Sequence, residues 1–357
     1  MKNFKNLKNF KSQAFCCCSI KNFIGLIWMW INILRFLRKR KILRVYEFIY
    51  SLFLFTFRRK KMTKLLETIG ESKLVQLENI GDGKIFVKVE KSIPAGSIKD
   101  RAALYMIKGA IEDGSLKEGM EIVEPTSGNT GIAIAMIGRA LGYKVNIVMP
   151  SSMSLERRNL IASYGANLIL PGEGGMQAAL DKTKELVATG NYFMPNQFEN
   201  KYNALAHEKT TGPEIYRDLK EISGFVAGIG TGGTVTGVGR YLKSQNKDVK
   251  VWGLEPEESP LFTKGKAGSH KIQGIGANFI PGVLDQKVLD KTITVKSEEA
   301  IEMARRLSRE EGLSVGISAG ANVLGALKMQ KEIGGNIVTV APDTAERYMS
   351  TDLFKHE

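Results

Sequence analysis

The chain has 357 residues, 43% of them apolar and 25% charged, a composition that supports a globular protein with room for two domains and excludes a poorly hydrophobic, disordered one. Its formal charge of +14 belongs to one end: residues 1–61 hold 15 Lys and Arg against the single acid Glu47, which leaves 36 basic and 36 acidic residues in 62–357. A body that is neutral on balance carries no electrostatic footprint for nucleic acid. The cysteines, Cys16, Cys17 and Cys18, are adjacent in the same leader, and His207, His270 and His356 are scattered. Spacing therefore proposes neither a disulfide framework nor a metal cluster in the body, and demanding chemistry there falls to a lysine or a borrowed organic cofactor.

The leader comes first in chain order. It holds two apolar stretches, 23–34 and 45–57, separated by a basic run at 35–44 and followed by Arg58-Arg59-Lys60-Lys61. Each is shorter than the ~20 apolar residues of a spanning helix, and neither precedes an Ala-x-Ala cleavage pattern. Basic residues beside short apolar runs allow an interfacial anchor. The preferred reading is an extension, 1–61, outside the fold, with the folded part starting near Met62 and no membrane partner expected.

From Met62 onward, β-branched runs alternate with helical patterns. Strands are expected at 84–89, 121–124, 145–149, 168–170 and 192–194, with helices at 97–112, 129–141, 155–163 and 176–188. The second half adds strands at 224–227, 249–254, 293–295 and 336–340 and helices at 234–244, 298–310 and 321–333. Such alternation predicts an α/β fold with largely parallel sheets, which bind ligands beyond the carboxyl ends of their strands.

Four segments that precede or open helices carry the candidate chemistry. In Pro94-Ala95-Gly96-Ser97-Ile98-Lys99-Asp100-Arg101 a tight turn delivers Lys99 into the first turn of a helix, where the positive end of the macrodipole favours the neutral amine that Schiff-base chemistry needs. The plainer alternative is an exposed lysine after a turn. Thr126-Ser127-Gly128-Asn129-Thr130-Gly131 reads either as a carboxylate cradle of amides and hydroxyls or as a capping loop. Gly228-Ile229-Gly230-Thr231-Gly232-Gly233-Thr234 offers a phosphate nest at a helix N-terminus. The same glycines, Gly228, Gly230 and Gly233, fit the dinucleotide fingerprint with Glu255 as ribose acid, and they also fit mere close packing of helix on strand. Gly316-Ile317-Ser318-Ala319-Gly320 precedes a third helix.

In order along the chain stand PAGSIKDR (94–101), PTSGNTG (125–131), MSLERR (153–158), NQFEN (196–200) with HEKTTGPEI (207–215), GTGGT (230–234), QGIGANFIPG (273–282), GISAGA (316–321) and ERYMST (346–351). This set resembles the fold type II family of pyridoxal 5'-phosphate enzymes, and within it the cysteine synthases, or O-acetylserine sulfhydrylases. The resemblance runs from about Met62 to Phe354. It implies two three-layer α/β domains with mostly parallel twisted sheets and the active site in the cleft between them: 62–202 with the smaller mobile domain and 203–357 as the larger domain that binds the cofactor phosphate.

Carried over by residue, the resemblance implies that Lys99 binds the cofactor aldehyde and Asn129 its ring 3'-oxygen, while Gly230, Thr231, Gly232, Gly233 and Thr234 hold its phosphate and Ser318 faces the pyridine nitrogen. A neutral hydroxyl there does not stabilise a pyridinium, which suits β-elimination better than transamination. Thr126, Ser127, Gly128, Thr130 and Gln197 match the substrate-carboxylate site. The implied reaction is β-replacement of the acetate of O-acetyl-L-serine by sulfide, giving L-cysteine through an α-aminoacrylate, with Lys99 moving the α-proton. The chain departs from the family pattern at Ile93, where Asn is usual, and at Asn278, where many cysteine synthases have Gly. Asn278 is thus a specificity candidate, and it leaves open related β-replacements on cysteine or serine: sulfide release, lanthionine synthesis or a cystathionine β-synthase-like reaction. A catalytically weak binding partner of serine acetyltransferase is the alternative from another class. A cytoplasmic homodimer, able to take the C-terminal tail of serine acetyltransferase, completes the implied picture.

Overall fold

A computed structural model describes residues 63–126, 128–151 and 155–355. The leader, and with it the reading of 1–61 as an extension, lies outside the described residues, as do Ser127 and His356. Among the described residues, no helix is long and apolar enough to cross a membrane.

Residues 62–357 form one unit built on two sheets. The ten strands are β1 (Lys73–Gln76), β2 (Ile85–Val89), β3 (Glu121–Pro125), β4 (Val145–Val148), β5 (Asn167–Ile169), β6 (Tyr192–Phe193), β7 (Gly224–Gly228), β8 (Lys250–Pro256), β9 (Lys291–Val295) and β10 (Ile337–Ala341). The larger sheet has the order β1-β2-β10-β7-β8-β9, and the smaller β5-β4-β3-β6. All pairings are parallel except β1 with β2. The expected α/β class with mostly parallel sheets is what forms. The larger sheet is not confined to the second half of the chain, because β1 and β2 supply one edge of it.

The helices longer than one turn are α1 (Lys99–Glu112), α2 (Asn129–Ala140), α3 (Leu155–Ser163), α4 (Gly175–Ala188), α5 (Lys201–Ala206), α6 (Gly212–Asp218), α7 (Gly233–Gln245), α8 (Ser297–Glu311) and α9 (Ile317–Ile333), with a π-helical turn at His207–Thr211 joining α5 to α6. Strands of period two bury both faces beneath these helices. Phe225 and Ala227 of β7 pack with Val235, Val238 and Leu242 of α7, whereas Val226 between them packs into the opposite layer with Ala326 and Met329 of α9. In the smaller sheet Ile122 points to Ile132 and Ile161, and Val123 points to Ala179. Each sheet is therefore the middle of three layers.

Most boundaries fall within two residues of the pattern. The exception is α9, which begins at Ile317 rather than 321. Gly320 reads as loop in sequence, yet it is a helix–helix contact: a Cβ there would run into the Ala300 carbonyl of α8. Here glycine serves close approach rather than a turn, and Ser318 consequently lies in the first helical turn. Strand β1, short and at the sheet edge, gives no alternating signal and is absent from the expected set.

Candidate functional site

Lys99 is held at the larger sheet by its own turn. Ile98 N donates to the Pro342 carbonyl at 2.8 Å, and Ser97 is bridged to Asp343, just beyond the end of β10. Gly96, at φ +76°, and the Gly96 N to Ile93 O bond of 2.7 Å close the turn. That bond uses only backbone atoms, so Ile93 in place of Asn does not open it. Lys99 lines a cleft with Asn129, Gly230, Thr231, Gly232, Thr234, Ser318 and Asp343. Burial pushes its ammonium down from the ordinary lysine range, and the Asp343 carboxylate pulls it partly back up. Desolvation thus works in the direction that the sequence assigned to the macrodipole, towards the uncharged amine.

The glycine loop after β7 opens α7. Gly232 stands at φ +79°, and a Cβ on Gly230 or Gly233 would run into the Gly274 carbonyl or the Asn203 side chain. Among the described residues, the N–H groups of Gly230, Thr231 and Gly232 find no acceptor within the protein. Unpartnered amides converging at a helix N-terminus form an anion site. Asn322 braces the loop by accepting from Gly228 N at 2.8 Å while donating to the Val340 carbonyl at 2.8 Å. Behind it, the buried His207 ring contacts Thr211 Oγ1 at 2.9 Å and Thr234 Oγ1 at 3.3 Å. Burial, reinforced by Arg101 and Lys99, keeps that imidazole neutral.

Glu255, the acid that a dinucleotide reading needs, is buried and fully engaged. It accepts from Phe262 N, Thr263 N and Thr263 Oγ1 at 2.7–2.9 Å. It caps a short helix and offers nothing to a ribose, so the nicotinamide reading loses its partner residue.

The loop after β3 lies on the other sheet. Thr126 and Thr130 are buried, and Thr130 Oγ1 donates to Gln197 Oε1 at 2.6 Å, which joins two of the expected substrate residues that are 67 positions apart. Gly128 N lies 3.5 Å from Thr126 Oγ1. Sequence reasoning missed Glu124, at the end of the same strand. Its buried carboxyl accepts from Asn196 N at 2.9 Å and Gln197 N at 3.1 Å, and burial outweighs these bonds to raise its pKa to about 7. The carboxyl holds the turn at Asn196, whose φ is +52°, and so aims Gln197.

Asn278 is placed differently from the residues of the cleft. It is exposed, accepts from Ser259 Oγ at 2.7 Å and is not part of the cleft lining. Its φ of +64° explains why glycine or asparagine stands at this point.

Sequence reasoning also missed Asp343, Arg347 and Tyr348. Asp343 lines the cleft, accepts from Asn129 Nδ2 and from the Tyr348 hydroxyl at 2.6 Å each, and is 1% exposed. Burial raises its pKa, against the pull of those two hydrogen bonds. The ERYMST match could have pointed to the segment, although not to these roles.

An anion nest, a desolvated amine and an asparagine amide share one cleft. They fit a ligand that combines a phosphate, a carbonyl carbon and a ring oxygen. Residues 65–343 match the family model described as pyridoxal-phosphate dependent enzyme. The chain is 46% identical over 307 residues to a cysteine synthase of Staphylococcus aureus, covering 84% of this chain and 99% of that protein. Among solved structures, a cysteine synthase from Entamoeba histolytica is 41% identical with a TM-score of 0.80, and a hydrogen sulfide-producing enzyme from Fusobacterium nucleatum is 43% identical with a TM-score of 0.80. Each covers 84% of this chain and 93% of its own.

Proposed function

Since the chain belongs to the cysteine synthase family of pyridoxal-phosphate dependent enzymes, we propose that it converts O-acetyl-L-serine and sulfide to L-cysteine and acetate. The observation that carries this reading is the meeting of Lys99, Asn129 and the unpartnered amides of Gly230 to Gly232 in one cleft. The residues fit the cofactor: Gly230, Thr231, Gly232, Gly233 and Thr234 would hold its phosphate, Asn129 its ring oxygen, and Ser318 its pyridine nitrogen. Bound there, pyridoxal phosphate supplies an electron sink that acidifies the substrate α-carbon.

The protein supplies the rest. Lys99 Nζ would be the attachment point for the cofactor and the group that takes the substrate α-proton and later returns it. Burial lowers its pKa, which favours the form that carries the lone pair. Thr126, Ser127, Gly128, Thr130 and Gln197 bind the substrate carboxylate. These groups ride on the smaller sheet and the phosphate nest on the larger, which supports closure of the smaller layer over the substrate and exclusion of water. Arg157 of α3, donating to Gln273 Oε1 at 2.6 Å, already spans the two. A cytoplasmic homodimer that admits the serine acetyltransferase tail accompanies this reading on family grounds alone.

The test is to offer the holoenzyme O-acetyl-L-serine with sulfide, and cysteine, serine and O-phosphoserine separately. Cysteine formation from the first pair at the highest kcat/KM is the expected result. Faster sulfide release from cysteine alone would contradict it and point to the sulfide-producing relatives.

Glu124→Gln tests the carboxylate site. An amide presents a donor to one of the two N–H groups that the carboxylate accepts, so the KM for O-acetyl-L-serine should rise roughly tenfold with kcat little changed. In the wild type the same KM should rise as pH falls through about 7, where Glu124 takes a proton. A KM flat across that range, or a change confined to kcat, would contradict the assignment.

A further inference from the structure

We propose that Asp343 and Arg347 are positioning residues that lock the Asn129 side-chain amide with its nitrogen as the donor to the cleft. The inference rests on the functional reading above, in which Asn129 meets the ring oxygen of the cofactor. Asn129 Nδ2 donates to Asp343 Oδ2 at 2.6 Å, and Arg347 Nη1 donates to Asn129 Oδ1. A side-chain amide has two orientations of nearly equal shape. Here they are far from equal in energy, because the amide is held at both ends by groups of opposite charge. Turning it over would set its NH2 against a guanidinium and its oxygen against a carboxylate. Both neighbours are buried, Asp343 at 1% and Arg347 at 8% exposure, so water does not soften the choice.

The clamp is itself braced. Tyr348 donates its hydroxyl proton to Asp343 Oδ2, and Asp343 Oδ1 packs against Gly316, where a Cβ would collide with it. The second Arg347 nitrogen, Nη2, donates to the Ala95 carbonyl in the turn that presents Lys99. One short segment, 343–348, thereby ties the lysine turn to the asparagine amide. Nδ2 carries two protons, and Asp343 takes only one. Among the described residues the other has no acceptor, and Asn129 lines the cleft. A donor fixed at that point keeps the ring oxygen of a bound cofactor ionised, and ionisation sets its colour. The ionised oxygen gives visible absorbance, the protonated oxygen near-ultraviolet absorbance.

The experiment reconstitutes the full chain and its Arg347→Gln, Arg347→Lys and Asp343→Leu variants with pyridoxal 5'-phosphate at neutral pH, and records cofactor content, spectrum and thermal midpoint. Glu346→Gln, an exposed neighbour, is the control. Folded clamp variants should still take up cofactor through Lys99 and the phosphate nest, but with the visible to near-ultraviolet ratio lowered roughly tenfold and the affinity for cofactor lowered by a similar factor. The control should match the wild type. Arg347→Lys keeps the cation in place but cannot serve Asn129 and Ala95 together, so it carries the test should the others not fold. Any folded clamp variant that binds cofactor with the wild-type ratio overturns the proposal. A wild-type chain that takes up no cofactor overturns the functional reading itself, and the clamp with it.

Discussion

Lys99→Ala is expected to lower kcat/KM for the β-replacement by roughly 10⁴-fold or more while leaving the fold intact. The residue serves twice in the proposed mechanism, as attachment point and as the base at the α-carbon, and general acid–base catalysis alone is worth about 10²–10⁴. The phosphate nest contains none of its atoms, so pyridoxal phosphate should still bind, although without the visible band of the covalent linkage. Stability should move the other way. Burial disfavours the charged form of Lys99, and the Asp343 carboxylate offsets part of that cost. Removal of the lysine therefore should not lower the denaturation midpoint of the cofactor-free protein, in keeping with the strain that active sites carry. A variant that loses activity only because it unfolds at lower denaturant would contradict this account. Retention of the visible band would contradict it too.

Arg101→Met is expected to destabilise the chain by about 3–5 kcal/mol, the usual cost of stripping one partner from a buried ionic cluster. Arg101 is 1% exposed, two residues after Lys99, and bridges Glu90 and Glu214. Its Nε lies 2.7 Å from Glu90 Oε2 and its Nη1 2.6 Å from Glu214 Oε1, while Nη2 reaches both carboxylates and Ser72 Oγ. Lys88 Nζ completes the cluster, 2.9 Å from Glu214 Oε2. Removing the guanidinium leaves two buried carboxylates facing one ammonium. The pH dependence follows from Glu214. Burial works to raise its pKa, yet Arg101 and Lys88 prevail and hold it at about 2. A lowered carboxyl pKa contributes stability that is fully present above the unfolded value of about 4.5 and is lost as pH falls through about 2. The variant lacks that contribution, so the gap between wild type and variant, measured by urea unfolding, should be widest at neutral pH and narrow steadily below pH 4.5. A gap independent of pH would mean that packing, rather than charge, explains the loss.

Much of this was legible in the sequence because it is local. The alternation of β-branched runs with 3.6-residue patterns gave α3 at its observed bounds and put the glycine loops where strands meet helices. Those handovers bring Lys99, Asn129, Gly230, Thr231, Gly232 and Thr234 to one place, where Ser318 joins them from the start of α9. What escaped is what depends on contacts across the fold. Asp343 lies 214 positions from Asn129, Arg347 lies 218, and no spacing rule reaches that far. Glu124 looked like an ordinary strand residue until Asn196 and Gln197 were seen to donate to it from 72 and 73 positions away. Gly320 misled because one residue type serves both turns and close helix packing, and only the neighbouring α8 distinguishes them. The helix that Lys99 starts is visible in the sequence, whereas the burial that lowers its pKa and the Asp343 carboxylate that raises it are not. Asn278 was singled out by pattern, and the structure gives it a backbone role at φ +64° and a hydrogen bond to Ser259 outside the cleft lining.

The most direct test traps the cofactor where it is attached. Holoenzyme reduced with borohydride, digested and sequenced by mass spectrometry should carry the pyridoxyl group on Lys99 within the segment Ser97-Ile98-Lys99-Asp100-Arg101, and on no other lysine. A pyridoxyl group on a different lysine with Lys99 unmodified, or a reduced protein with no labelled peptide, would contradict the assignment of this cleft as the catalytic centre.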